Sequence, residues 1–393
     1  MVVFQKVSAI LHKVLHEDIF PWLILLLSAF IIIISLNYIK IDKYFSSDFV
    51  IGRVLSVLES NLDDDPYVPG RKLGKQELVV NILYGEDAGK KFEIYNTLTK
   101  GHNILAREGY TYVFSIREEM SGDKVVWLYS YNRVPLLASL LLLFIVLVLF
   151  IAGKKGFRSL VGLLFTGVII LFVLAPLILR GIDPIFISII SLSLITVVSF
   201  LLISGFNNKS LISILGTLGG IISAGIICYI ASKLAHLSGI NMEKGEQILY
   251  IAEDYGIRIN GFLFISILIA SSGAVMDVAM SITSSLMEIT KHNRDISSKD
   301  LFSSGMDIGR DLIGTMINTL ILAFAGSSFT LLLMVVGLSM SFNQYINIPL
   351  ISIEIIQGIA GSIGIILTVP LTNIAFIILE KRRNKNEEEI SKS

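Results

Sequence analysis

Carboxylates set inside apolar, membrane-length runs are the residues best placed to do chemistry in this chain. Asp277 sits in GAVMDVAMSITSSLMEI, behind a long and mostly apolar stretch. A charged side chain near the centre of a bilayer costs roughly 2.5–3.5 kcal/mol on insertion scales. A chain carries that cost when the group is paired, protonated or used. A second run, SGMDIGRDLIGTMINTLILAFAG, holds Asp307, Arg310, Asp311 and Asn318. At about 100° per residue, Ser266, Ala270, Gly273, Ser281, Ser284 and Glu288 fall within about 40° of Asp277. The same arithmetic groups Asp307 with Asp311, Gly314, Asn318 and Ala325. Two neighbouring helices thus each carry one stripe of acids, amides and small residues, which suits a cation or proton relay.

Each of these residues also has a plainer use. Ser266, Ser281 and Ser284 serve close helix packing as readily as a path. Ser304 and Asp307 have the spacing of a capping box. Arg310 is expected to pair with Asp277, Asp307 or Asp311. Glu354, near the outer end of the last apolar run, reads either as an outer acidic station or as an interfacial residue. Span five, with Gly216, Gly219, Gly220 and Gly225, reads as a packing face; its GTLGG lacks the Lys-Ser/Thr ending of a phosphate loop.

The elements that must position these residues are membrane spans. Of 393 residues, 53% are hydrophobic and 16% charged, with mean hydropathy +0.75. Soluble domains carry about 25% charged residues, so the expected class is an α-helical polytopic membrane protein. Eight candidate spans have about the length a bilayer requires: near Trp22–Tyr38, Val134–Ala152, Leu160–Leu179, Ile185–Phe206, Leu211–Ala231, Ile259 to beyond Asp277, Leu312–Met340 and Leu350–Leu379. The first reads as an uncleaved anchor, since no A-x-A pattern follows it. Lys154, Lys155, Arg158, Lys209, the Lys291–Lys299 link and Lys381-Arg382-Arg383 fall on one side. By the positive-inside rule both termini are cytoplasmic. Leu234–Arg258 suggests a short amphipathic helix on a surface.

Residues 46–133 form the expected extracytoplasmic domain, between an anchor segment over 1–45 and a helical domain over 134–380 with a charged tail over 381–393. Alternating and β-branched runs at Phe49–Leu58, Gln76–Tyr84, Lys90–Asn96, Tyr110–Arg117 and Val125–Tyr131 predict about five strands. They have the size of a small barrel or sandwich, an OB-like barrel among the forms open to it. Asp63-Asp64-Asp65 reads as a solvated turn, because it lacks the spacing of a calcium loop.

Several classes drop out. Net charge is +0, so no global basic field points to nucleic acid. The single Cys228 permits no intrachain disulfide and reads as a buried packing residue. His12 and His16, an i,i+4 pair, read as a polar helix surface rather than metal ligands. No HExxH, GxSxG or Walker pattern is present, so neither an enzyme nor a cofactor is expected.

The segments GAVMDVAMSITSSLMEI, LFSSGMDIGRD and GTMINTLILAFAGSS closely resemble the signature of the bacterial YibE/F-like family of multi-pass membrane proteins. Weaker matches are ISGFNNKSLISILGTLGG, RGIDPIF and GKKFEIYNTL. The resemblance implies a plasma-membrane protein and assigns no catalytic residue. The expected function is a transporter or permease for an ion or small solute, its path running between spans six, seven and eight, with Asp277, Asp311 and Asn318 as stations. A second membrane subunit or a homo-oligomer is an expected partner. The alternative is a non-transporting scaffold or sensor that binds an envelope partner through its β domain.

Overall fold

The computed structural model describes residues 19–38, 49–118, 122–255, 259–293 and 295–392. His12 and His16 lie outside them. The chain divides into two compact units, residues 37–151 and residues 1–36 with 152–393.

The first unit holds a curled five-stranded antiparallel sheet, a half-barrel. Its strands are β1 (Phe49–Asp64), β2 (Lys72–Ile82), β3 (Lys91–Leu98), β4 (Thr111–Glu118) and β5 (Lys124–Tyr131), in the spatial order β3-β2-β1-β4-β5. β1 is long enough to pair with β2 from Gly52 to Asp64 and with β4 from Phe49 to Arg53. Register shifts at Val54/Ser56 and Val57/Glu59 bend it, as bulges do. Alternation places Val54, Leu78, Val80, Ile94, Phe114 and Leu128 inside. Gln76 and Asn96 are also buried, and they stitch the segment before β4 to the sheet. Asn96 Nδ2 donates to Gln76 Oε1 (3.1 Å) and to the Ile104 carbonyl (2.8 Å), while Gln76 Oε1 accepts from the Ala106 N–H (3.0 Å). Asp63 and Asp64 belong to β1 rather than to a turn. Asp65 is buried, and its side chain accepts from the Tyr67 N–H (2.9 Å).

The helical unit uses α1 (Ile19–Tyr38), the later part of α2 (Val134–Ile169), α3 (Ala175–Leu179), α4 (Pro184–Ser204), α5 (Asn208–Leu234), α6 (Gly245–Tyr255), α7 (Phe262–His292), α8 (Ser298–Ser327), α9 (Phe329–Gly337), α10 (Phe342–Tyr345) and α11 (Pro349–Lys392). A π segment at Ile170–Leu174 joins α2 to α3 just before Pro176. Proline cannot close the i−4 bond, and a widened turn accommodates it. Among the described residues, seven helices are long and apolar enough to cross a membrane. One of them, Val134–Leu179, covers both the second and third expected spans. It breaks at Gly153, whose φ of 52° and ψ of −130° are not helical. The amphipathic α6 falls inside the expected surface segment.

The helical unit departs from the sequence expectation around α8. The seventh span does not run unbroken to Met340, because α8 ends at Ser327 and α9 starts at Phe329. Nor does Ser304 cap a helix with Asp307. α8 begins at Ser298, and Ser297 is its cap, its Oγ accepting from the Asp300 N–H (3.1 Å). Two Ser-x-x-Asp patterns stand seven residues apart here. The earlier one follows the break at Asn293 and so takes the free N–H groups.

Candidate functional site

Glycines set the height of each candidate residue. Gly216 and Gly220 of α5 lie against Thr372 and Thr368 of α11, and Gly364 of α11 lies against Ala224, so these two helices pack antiparallel at close range. Gly305 and Gly309 of α8 lie against Asn373 and Val369 of α11. Gly361 of α11 meets both Leu320 of α8 and Ser271 of α7, so those two share a level. Six residues onward along α7 and six back along α8, about 9 Å at 1.5 Å per residue, Asp277 comes level with Gly314. Asp311 and Asn318 stand about one turn to either side of Gly314.

The two stripes therefore stand at one height, and each is open. Ala270, Gly273 and Asp277 are exposed, as are Asp307, Arg310, Asp311, Gly314 and Asn318. The cause is the division of faces. α7 gives Val275, Val278, Ile282 and Leu286 to the core, and α8 gives Leu301, Gly305, Gly309 and Leu320. What remains outward is the polar edge. Among its three expected partners Arg310 takes Asp307, at 2.5 Å within one helical turn. Asp277, Asp311 and Asn318 make no hydrogen bond or ion pair with any described residue. Ser281 and Ser284 are half-buried, and Ser284 Oγ donates back to the Met280 carbonyl at 2.7 Å. Glu288 is exposed and pairs with His292 (3.0 Å) and Lys291 (3.8 Å) at the helix end, away from the stations.

A second polar set lies on the inner side and was not singled out from sequence. Ser213 and Thr217 of α5 and Thr372 and Asn373 of α11 are fully buried. Their side-chain oxygens, and the Asn373 amide nitrogen, have no hydrogen-bond partner among the described residues. An unpaired buried amide or hydroxyl costs on the order of 1–3 kcal/mol. The signal in the sequence was the i,i+4 spacing of Ser213 and Thr217 and the Thr372-Asn373 pair inside an apolar run. Glu354 of α11 is half-buried, with Oε2 shielded from solvent and unpartnered. Cys228 is buried, as expected. Among the described residues no group of three or more His, Cys, Asp or Glu is arranged to hold a metal ion.

In the β unit, Lys124 and then Lys90 hold the Asp87 carboxyl below its usual range through hydrogen bonds at 2.7–2.9 Å and 2.8 Å. Burial raises the Tyr112 hydroxyl, which accepts from the Arg107 N–H at 2.9 Å. A cavity of about 520 Å³ opens beside it, lined by Lys72, Asn103, Arg107, Tyr110, Tyr131 and Asn132.

A sequence model of the YibE/F-like protein family matches residues 140–382, more than half of the chain and all of the helices that carry the stripes. The chain belongs to the YibE/F-like family. No curated protein and no solved structure matches it. The matched region of this YibE/F-like chain includes Asp277, Asp311, Asn318, Glu354 and the buried Asn373, and it leaves out the β unit.

Proposed function

We propose that this YibE/F-like chain is a multi-pass plasma-membrane permease for an ion or small solute. Seven helices of sufficient length and apolarity, one of them covering two expected spans, support the membrane reading. Basic residues gathered at one set of helix ends support cytoplasmic termini. The observation that carries the transport reading is Asp277 level with Gly314, open and unpartnered, with Asp311 and Asn318 a turn away. Ions and amides cannot face hydrocarbon at that depth without a cost of several kcal/mol. A covering surface therefore completes the route, and a second copy of the chain or another membrane subunit supplies it. The buried row of Ser213, Thr217, Thr372 and Asn373 adds water-seeking groups on α5 and α11, the helices packed against α7 and α8.

The Asp277→Asn variant is expected to abolish flux of the transported solute in proteoliposomes, with expression and thermal stability unchanged. Equal flux in variant and wild type removes the reading.

One observation favours a second function. The β unit has the strand order and the long, bent, shared β1 of an OB-like barrel, with a polar cavity in it. In that reading the chain is a scaffold whose β unit binds an envelope partner, and the open stripe is an assembly surface. Asp277→Asn then lowers the stability of the assembly and changes no flux, and the β unit retains a stable partner in a pull-down.

A further inference from the structure

The cavity around Glu354 has a composition that selects its ligand. It is an open cavity of about 560 Å³ lined by residues of α8, α9 and α11 with Tyr345 of α10, within the usual size range of small-molecule sites. Phe324, Leu332, Val335, Tyr345 and Ile355 are among its walls, which carry no charge other than Glu354. Gly358 opens the α11 wall: a methyl group added there would stand 3.9 Å from the Phe324 ring and meet nothing nearer. The break between α8 and α9 at Ser328 forms part of the rim. Glu354 is the one charged residue on these walls, and its Oε2 is shielded and has no partner among the described residues.

An isolated carboxylate in an apolar wall calls for a positive complement. Aromatic faces attract the same kind of ligand, since the ring quadrupole favours cations. A hydrated metal ion fits poorly, because only one carboxylate is offered and the remaining walls give no oxygen cage. A bare hydrocarbon would fill the volume and leave the carboxylate unmatched. We propose that this cavity binds an amphipathic organic monocation, its charge against Glu354 and its apolar body against Phe324, Leu332, Val335 and Ile355. The proposal rests on the permease reading only for its use, as the outer binding site for the solute class carried; the binding itself stands on the cavity.

The test is equilibrium binding of tetraphenylphosphonium to the purified full-length protein in neutral detergent, after lipid removal. Tetraphenylborate, of similar shape and opposite charge, is measured in parallel. Wild type is expected to bind the cation saturably and the anion weakly or not at all. Glu354→Gln is expected to weaken cation binding at least about tenfold, the worth of one charge-assisted contact. Gly358→Leu, which keeps the charge and fills the space, is expected to weaken it as well. Unchanged cation binding in Glu354→Gln overturns the proposal, as does equal binding of the anion by wild type or the absence of saturable binding. Saturable, Glu354-dependent binding without flux of the cation in proteoliposomes leaves the site standing and removes its use as the entry site of the permease, while the permease reading itself falls only to the Asp277→Asn flux test.

Discussion

Gly220 and Gly314 both lie on polar or small faces of long helices, yet only one of them is held in place by a neighbour. A side chain at Gly220 would run into Thr368 Oγ1 and, at 3.1 Å, the Gly364 carbonyl; at Gly314 it would meet nothing. Gly220→Ala is therefore expected to destabilise by about 1–3 kcal/mol through overpacking. Gly314→Ala is expected to keep or raise the melting temperature of the solubilised protein, since alanine is the better helix former by about 1 kcal/mol. Similar melting shifts in both would contradict the packing described. Asp87 offers a pH test at the same scale. Its folded value is depressed by Lys124 and Lys90, so its contribution is fully present above the ordinary value of 3.8 and is lost as pH falls through the depressed one. In a Trp22→Phe background, Trp127 fluorescence reports the β unit. Acid unfolding is expected to begin at a higher pH in Lys124→Ala, and Asp87→Asn should flatten the pH dependence below about 5.

Helices and strands followed local chemistry where local chemistry was unambiguous. Each of the five expected strands is present, because period-two burial and turn residues agree in each run. β1 extends beyond its expected end at Leu58, since pairing with β2 continues to Asp64↔Lys72 and outweighs the polarity of that stretch. The α8 boundary went the other way. A capping pattern at Ser304 has the right spacing, but a helix already under way leaves it no free N–H to cap. Ser297→Ala is expected to cost about 1 kcal/mol, and Ser304→Ala should cost none through capping; differential melting of the two variants decides. The break in α2 belongs to Gly153, whose positive φ glycine adopts without strain and a residue with a β-carbon does not. Gly153→Ala is expected to lower the melting temperature, as strain of about 1–3 kcal/mol would; no change would show that the break lies elsewhere.

For the whole molecule, the division into a half-barrel and a helical unit follows from composition, since an alternating polar segment interrupts otherwise apolar helices. Sidedness is the property of the complete chain that a direct measurement decides. In intact cells, a cysteine at Tyr95 is expected to react with an impermeant maleimide, and one at Lys155 only after permeabilisation. The reverse pattern would invert the topology and move Glu354 to the cytoplasmic side. The open polar face makes a further demand on the molecule. Helices such as α8, with few residues buried in one chain, gain their remaining contacts from lipid or from another protein surface, and Asp311 and Asn318 are poor matches for lipid.

By itself the sequence determined the long apolar helices, the five-stranded insert and the angular grouping of Asp277 with its neighbours. Those depend on period, length and turn chemistry within one segment. Only the tertiary structure decided which face of each helix turns inward. Periodicity says that two residues share a stripe, whereas glycine contacts such as Gly305 with Asn373 and Gly361 with Leu320 fix where that stripe points. Those contacts join residues distant in the chain. Close approach between backbones is a property of pairs of helices, which no single helix records.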